Sequence, residues 1–277
     1  MSLTVKAYAK INLWLDITGR RSDGYHTLNT VMRRIDLYDD VVVTTRSGSD
    51  ITVSCSSPDI PSDERNIAYK AAAAFISGTH KNISVDIRIN KRIPVGAGLG
   101  GSSADGAAVL IALNELYGRR FDTEELCRIG ARLGADVPFC ITGGTARCTG
   151  IGEITEPLTC SDFAALIAVP PFACFTAKAY KQYDVSPIPE KSGFDAYCNS
   201  IGSSLSSLAG GVYNVFEKLY DDDRITALKD SLIAAGALGA CMSGSGSAVF
   251  GIFPDIESAK AASEKLDCKT KFAVEAI

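Results

Sequence analysis

Residues 5–17 alternate strictly along the chain. Val5, Ala7, Ala9, Ile11, Leu13, Leu15 and Ile17 fall on one parity, and Lys6, Tyr8, Lys10, Asn12, Trp14 and Asp16 on the other. Period two is the repeat of an extended chain, so the pattern predicts a strand. Its core face carries the apolar set, and Lys10 and Asn12 share the opposite face. Further strands are expected at 41–45, 51–55, 83–89, 164–169, 248–253 and 271–276. Helices are expected at 66–77, 102–116, 123–133, 176–182 and 257–266, with a helix-rich stretch over 195–235. Arg20 to Tyr25 reads as a polar turn, and the Pro/Ser/Gly-rich segment 186–193 as a connector. Strands and helices in this order predict an α+β fold in two domains, 1–158 and 159–277. No internal repeat or low-complexity tract is present.

Composition narrows the class. The chain has 277 residues, 46% of them hydrophobic, and a formal net charge of -4. That much apolar content with so little net charge excludes a disordered chain and supports a sizeable core. The arginine pairs Arg20-Arg21, Arg33-Arg34 and Arg119-Arg120 are scattered and form no basic stripe, so nucleic acid is not the expected partner. No apolar run reaches the ~20 residues of a membrane-spanning helix, and no basic stretch followed by an apolar run opens the chain. The nine cysteines form no C-x-x-C pair and read as small buried residues of a reducing, cytoplasmic protein.

The strongest chemical signal is Pro94-Val95-Gly96-Ala97-Gly98-Leu99-Gly100-Gly101-Ser102-Ser103-Ala104. Small residues ahead of a helix let backbone N–H groups converge on an anion at the helix N-terminus. Ser102 and Ser103 are expected to cap that helix or to offer hydroxyls to phosphate. The common phosphate loops fit poorly. G-x-G-x-x-G is matched, but outside its usual strand–turn–helix setting, and the Walker lysine is replaced by Ser102. A second flexible loop, Ser243-Gly244-Ser245-Gly246-Ser247, is either a tight turn or a partner to the first. Taken alone, Lys10 reads as a solvated strand residue and Asp136 as a turn or cap residue. Phosphoryl transfer can use both, one to neutralise charge and one to orient or deprotonate a hydroxyl. His26 and His80 are too few and too far apart to suggest a metal site.

Read together, the Lys10 strand, the Pro94–Ala104 loop and the Ser243 loop resemble the GHMP kinase superfamily. Ala7-Tyr8-Ala9-Lys10-Ile11-Asn12-Leu13, Asp23-Gly24-Tyr25-His26-Thr27-Leu28 and Gly134-Ala135-Asp136-Val137-Pro138-Phe139 point within it to kinases of a cytidyl diphosphate ester in isoprenoid precursor synthesis. The Asp23–Leu28 run argues against the homoserine and mevalonate kinases of the same superfamily. The resemblance implies two lobes, a ribosomal-protein-S5-like N-terminal domain and a ferredoxin-like C-terminal domain. It implies ATP, with Mg2+, on Asn66, Lys91, Pro94, Gly96, Ala97, Gly98, Leu99, Gly100, Gly101, Ser102 and Ser103. Lys10 and Asp136 match the catalytic pair. Asn12, Tyr25, His26, Ile151, Thr176 and Tyr180 match the substrate positions, with Tyr25 and Tyr180 flanking the pyrimidine and His26 on its edge. The family often has three glycines before its paired serines, where this chain has Gly100-Gly101 and then Asp105-Gly106. Metal ligands and oligomeric state are not indicated.

Overall fold

A computed structural model describes residues 1–79, 82–172, 174, 176–219 and 223–277; His80 lies outside the described residues. In chain order the elements are β1 (Ser2–Arg20), β2 (His26–Ser47), β3 (Ile51–Cys55), α1 (Ile67–Thr79), β4 (Ile83–Asn90), α2 (Gly101–Leu116), α3 (Thr123–Ala131) and α4 (Val137–Thr142). They continue with β5 (Thr145–Thr149), β6 (Ile154–Pro157), β7 (Ala164–Val169), α5 (Thr176–Val185), α6 (Phe194–Ser200), α7 (Leu205–Gly210) and β8 (Tyr213–Asn214). The last elements are α8 (Asp223–Ala234), β9 (Gly239–Met242), β10 (Val249–Phe253), α9 (Ile256–Lys265) and β11 (Thr270–Glu275). The fold is α+β, and no described helix is long and apolar enough to cross a membrane.

The chain divides into two compact units interleaved in sequence. One comprises Met1–Ala9, Leu37–Val95 and Gly100–Gly143; the other Lys10–Asp36, Gly96–Leu99 and Gly144–Ile277. In the first, β3, β4, β2 and β1 pair in that order, with β3 parallel to β4 and β4 antiparallel to β2. Its helices α1, α2, α3 and α4 bury a shared core of Ala68, Ala71, Phe75, Ala107, Leu110, Leu113, Leu126 and Val137. The helices α1 and α2 pack closely: a Cβ on Gly106 would come within 2.5 Å of Ile67. In the second unit β7, β9, β10 and β11 form an antiparallel sheet in the order β11-β7-β10-β9. With α8 between β7 and β9 and α9 between β10 and β11, this is the ferredoxin-like arrangement.

Two expectations are corrected. Lys10 and Asn12 do not face solvent: residues 9–17 of β1 are buried on both faces, and Lys10 is only 4% exposed. The polar parity is covered by Ser243 and Gly244 at Asn12, by Phe194, Tyr197 and Tyr213 at Trp14, and by the Lys191 N–H at Asp16. The strand expected at 41–45 is instead a strand of 22 residues, with the buried His26 as its first. That strand was legible only over 41–45, because its buried parity changes from even to odd across Thr30–Arg33 and its buried set includes Thr30, Arg33 and Asp39. A pattern reader sees a polar stretch there. The structure satisfies each group: Thr30 donates to the Trp14 carbonyl, Arg33 to Thr145 and the Ala276 carbonyl, and Asp39 accepts from two backbone N–H groups. No cysteine takes part in a disulfide among the described residues, but Cys55, Cys127, Cys160, Cys174 and Cys268 are half-buried rather than buried.

Candidate active site

The glycine-rich loop has the backbone of an anion cradle. Gly96, Gly98 and Gly100 have φ of 69°, 78° and 73°. Arg119 is the one non-glycine residue with positive φ among the described residues, so Ala97 and Leu99 between those glycines keep the ordinary hand. Alternating hand turns successive N–H groups toward one side, the geometry of an anion-binding nest. The helix α2 follows directly, and its N-cap, Gly100, supplies no side-chain hydrogen bond. Ser102 and Ser103 are therefore not the caps the sequence suggested. They lie in the first turn, Ser102 exposed and Ser103 half-buried. The N–H groups of that turn have no side-chain cap and carry the positive end of the helix dipole. Pro94 precedes the loop half-buried, and Gly101 opens the helix.

The second glycine loop grips the first. Ser243 Oγ donates to the Gly98 carbonyl at 2.9 Å, and the Ala248 N–H to the Ala97 carbonyl at 3.1 Å. A Cβ at position 98 would sit 2.1 Å from the Ser243 carbonyl oxygen, so only glycine fits. Lys10 joins the same unit: its backbone N–H donates to the Leu99 carbonyl at 3.0 Å, and its Nζ to Asn12 Oδ1 at 2.6 Å. Asn12 Oδ1 also accepts from the Gly244 N–H at 3.0 Å, and Asn12 Nδ2 donates to Thr30 Oγ1 at 2.8 Å. One buried amide oxygen thus holds the Lys10 ammonium beside the Gly244 N–H of the second loop, while the Lys10 backbone is tied to the first. Asn214 Nδ2 donates to the carbonyls of Met242 and Gly244, both at 2.7 Å, and holds the second loop from behind. Thr30 and Asn214 belong to no motif and were missed. Thr176, at the start of α5, shares a 2.8 Å hydrogen bond with Ser245 of that loop.

Asp136 is the N-cap of α4, as a turn-or-cap reading expects, but its side chain makes no capping hydrogen bond. It is half-buried, with Pro138 in the first turn behind it. Asn66 Oδ1 accepts from the Ala68 N–H at 2.8 Å at the start of α1, and Nδ2 donates to the Pro61 carbonyl at 2.8 Å. Lys91 is placed differently from the expectation for a nucleotide ligand. Its Nζ lies 2.5 Å from Asp39 Oδ2 and 2.8 Å from Asp105 Oδ2, all three side chains being buried. Neither aspartate was singled out by sequence.

Of the positions expected to hold substrate, Asn12 and Thr176 lie at the glycine loops, and His26 and Tyr180 pair elsewhere. His26 and Tyr180 stack at 4.8 Å between ring centroids with planes 22° apart, and the Phe216 ring meets Tyr180 edge-on at 5.1 Å. His26 Nε2 lies 2.8 Å from Asp184 Oδ1, whose other oxygen pairs with Arg20 at 3.3 Å. A carboxylate oxygen there accepts, so the proton of this contact is assigned to Nε2. Tyr25 stands in solvent, 60% exposed. Ile151 is half-buried, and its N–H donates to Glu153 Oε2 at 2.6 Å. Asp184 was also missed; it falls four residues after Tyr180, one helical turn along α5.

Comparison with known proteins agrees with this geometry. The family described as GHMP kinases N terminal domain matches residues 66–144, and the one described as GHMP kinases C terminal matches 222–271. The chain is 40% identical to a 4-diphosphocytidyl-2-C-methyl-D-erythritol kinase of Clostridium botulinum (strain Eklund 17B / Type B), covering 95% of each chain. It is 42% identical to the protein of that name from Alkaliphilus metalliredigens, covering 95% of this chain and 91% of the relative. A crystal structure of a 4-(cytidine 5'-diphospho)-2C-methyl-D-erythritol kinase superposes with a TM-score of 0.79 at 32% identity, covering 99% of this chain and 100% of that one.

Proposed function

The chain belongs to the GHMP kinase family, and on that premise we propose that it transfers the γ-phosphoryl group of ATP to the 2-hydroxyl of 4-diphosphocytidyl-2-C-methyl-D-erythritol, in the non-mevalonate route to isoprenoid precursors. The observation that carries the phosphoryl-transfer reading is the alternating-hand loop 96–100 running into an uncapped helix and gripped by the Ser243 loop. The choice of substrate rests on the full-length relatives and on the stacked His26–Tyr180 pair. Family matches lie one on each side of the proposed boundary between an N-terminal domain, 1–158, and a C-terminal domain, 159–277, whereas the compact units group 10–36, 96–99 and 144–158 with the C-terminal part.

The chemistry assigned to the residues is as follows. The triphosphate is held by the N–H groups of the loop and of the first turn of α2, with Gly96, Ala97, Gly98, Leu99, Gly100, Gly101, Ser102 and Ser103 around it. Pro94 sets the entry to this loop, and Asn66 stands at the nucleotide side. Mg2+ bound together with ATP would neutralise phosphate charge. Lys10, aligned by Asn12, neutralises the charge on the transferring group. Asp136 orients the acceptor hydroxyl and takes its proton as the new O–P bond forms and the β–γ bridge breaks. Ile151 and Thr176 line the acceptor side. At the cytidyl end, Tyr25 and Tyr180 supply ring faces to the pyrimidine. His26 Nδ1 accepts from the amino group that cytosine has and uracil lacks. A small-molecule substrate and a cytoplasmic setting follow from this reading.

An ADP-release assay with the cytidyl substrate, mevalonate, homoserine and galactose side by side tests it. Turnover is expected with the cytidyl substrate alone. Preference for mevalonate or homoserine would reassign the enzyme within its family, and no ADP from any acceptor would overturn the kinase reading.

A further inference from the structure

The buried ion cluster beside the phosphate loop holds both ends of that loop. Asp39, in β2, accepts with Oδ1 from the Arg92 N–H at 2.5 Å and the Ile93 N–H at 2.9 Å, fixing the chain that enters the loop. Its Oδ2 takes Lys91 Nζ, which reaches on to Asp105 Oδ2 in α2, the helix by which the chain leaves the loop. A Cβ on Gly101 would stand 3.1 Å from Lys91 Nζ, so the ammonium lies directly under the helix N-terminus. The cluster is one cation short of neutral when both carboxylates are ionised. The shortfall falls on Asp105, whose Oδ1 is buried with no hydrogen-bond partner.

We propose that Asp39, Lys91 and Asp105 are positioning residues for the ATP loop, and that ATP binding drives proton uptake at Asp105. The inference rests on the nucleotide reading of that loop. An anion arriving at the N-terminus of α2 raises the cost of a second buried negative charge in the same helix. Protonation of the Asp105 carboxyl removes that charge and leaves Asp39 and Lys91 as a neutral pair. Coupling is reciprocal, so a proton on Asp105 strengthens ATP binding by the same factor. Burial, the dominant cause, pushes the Asp105 carboxyl up to about 7, with Lys91 opposing it and Asp39 adding to it. The group is therefore poised where a ligand can move it. Cys55, at the end of β3, also interacts with the cluster, and burial raises its thiol, so it stays neutral there. The packed helices α1, α3 and α4 bring Ala68, Ala71, Leu126 and Val137 to the core that α2 shares.

The test is isothermal titration of the full chain with Mg·ATP in buffer pairs of different ionisation enthalpy. If binding moves the carboxyl by about one pH unit, near pH 7.5 the complex takes up about half a proton per ATP. The uptake is expected to vanish near pH 5, where Asp105 is already protonated, and to be absent in Asp105→Asn. ATP affinity should fall about tenfold from pH 6 to pH 9 in the parent chain and stay flat in the variant. Binding without uptake in the parent chain would overturn the coupling while leaving the nucleotide reading intact. Equal uptake in Asp105→Asn would overturn the assignment to Asp105. Absence of any ATP binding would overturn both readings together.

Discussion

At the scale of single residues, the assigned roles separate kinetically. Asp136→Asn keeps the shape of the side chain and removes its charge, so kcat is expected to fall on the order of 10²- to 10⁴-fold with little change in KM. Steady-state kinetics with both substrates checks this; near-parental turnover would remove Asp136 from the mechanism. Lys10→Ala is expected to depress kcat as well, and an effect confined to thermal stability would leave Lys10 only a structural role. Asp184→Asn probes the cytidyl end, because losing the carboxylate frees His26 to exchange tautomers. Discrimination between cytidyl and uridyl substrates is then expected to drop about tenfold, the worth of one edge hydrogen bond, with ATP binding unchanged. Lys10, Asp136, Tyr25 and His26 were legible because each stands in a short recognisable run. Asp184, Thr30 and Asn214 were not, because each is defined by a partner distant in sequence: Asp184 by His26, Thr30 by Asn12, Asn214 by the loop after β9.

Whole elements were readable in proportion to how evenly they are buried. The capping box of α3, with Asp122 accepting from the Glu125 N–H and Glu125 from the Asp122 N–H, is a local signal. Asp122→Ala is expected to cost about 1 kcal/mol of stability while sparing kcat, measured by denaturant unfolding beside activity. The two glycine loops are an element-scale device in which local sequence supplies flexibility and a distant loop supplies shape. Gly98→Ala places a methyl against the Ser243 carbonyl and forces a residue with a side chain into positive φ. Its KM for ATP is expected to rise at least tenfold, with the cytidyl substrate's KM much less affected; equal damage to both would mean that the loop serves general stability. The strand β2 escaped recognition over 26–40 for the opposite reason. Its buried polar residues obey no periodicity, because partners from several other segments satisfy them.

For the whole molecule, the ion cluster makes stability depend on pH. The Asp105 carboxyl sits at about 7 in the folded chain against an ordinary value of 3.8. A raised acid contributes stability that is fully present below the ordinary value and is lost as pH rises through the folded one. Unfolding free energy is therefore expected to fall between pH 5 and pH 8 by roughly 3 kcal/mol on this group's account. Asp105→Asn should flatten that slope in urea unfolding at the two pH values. A slope unchanged in the variant would place the titration elsewhere.

The sequence by itself determined the α+β class, the strand that carries Lys10, the glycine-rich loop at 94–101 and the helix behind it. These depend on contacts between near neighbours and on the rare backbone freedom of glycine, which local pattern encodes. Tertiary structure decided which charges are buried and which atoms they meet. The family resemblance puts Lys91 near the nucleotide, yet β2 and α2 place a carboxylate on each side of it. Lys10 reads as solvated, yet Asn12 and the glycine loop around Ser243 enclose it. The energy of a charge is set by everything within reach of it, and most of that lies far away along the chain.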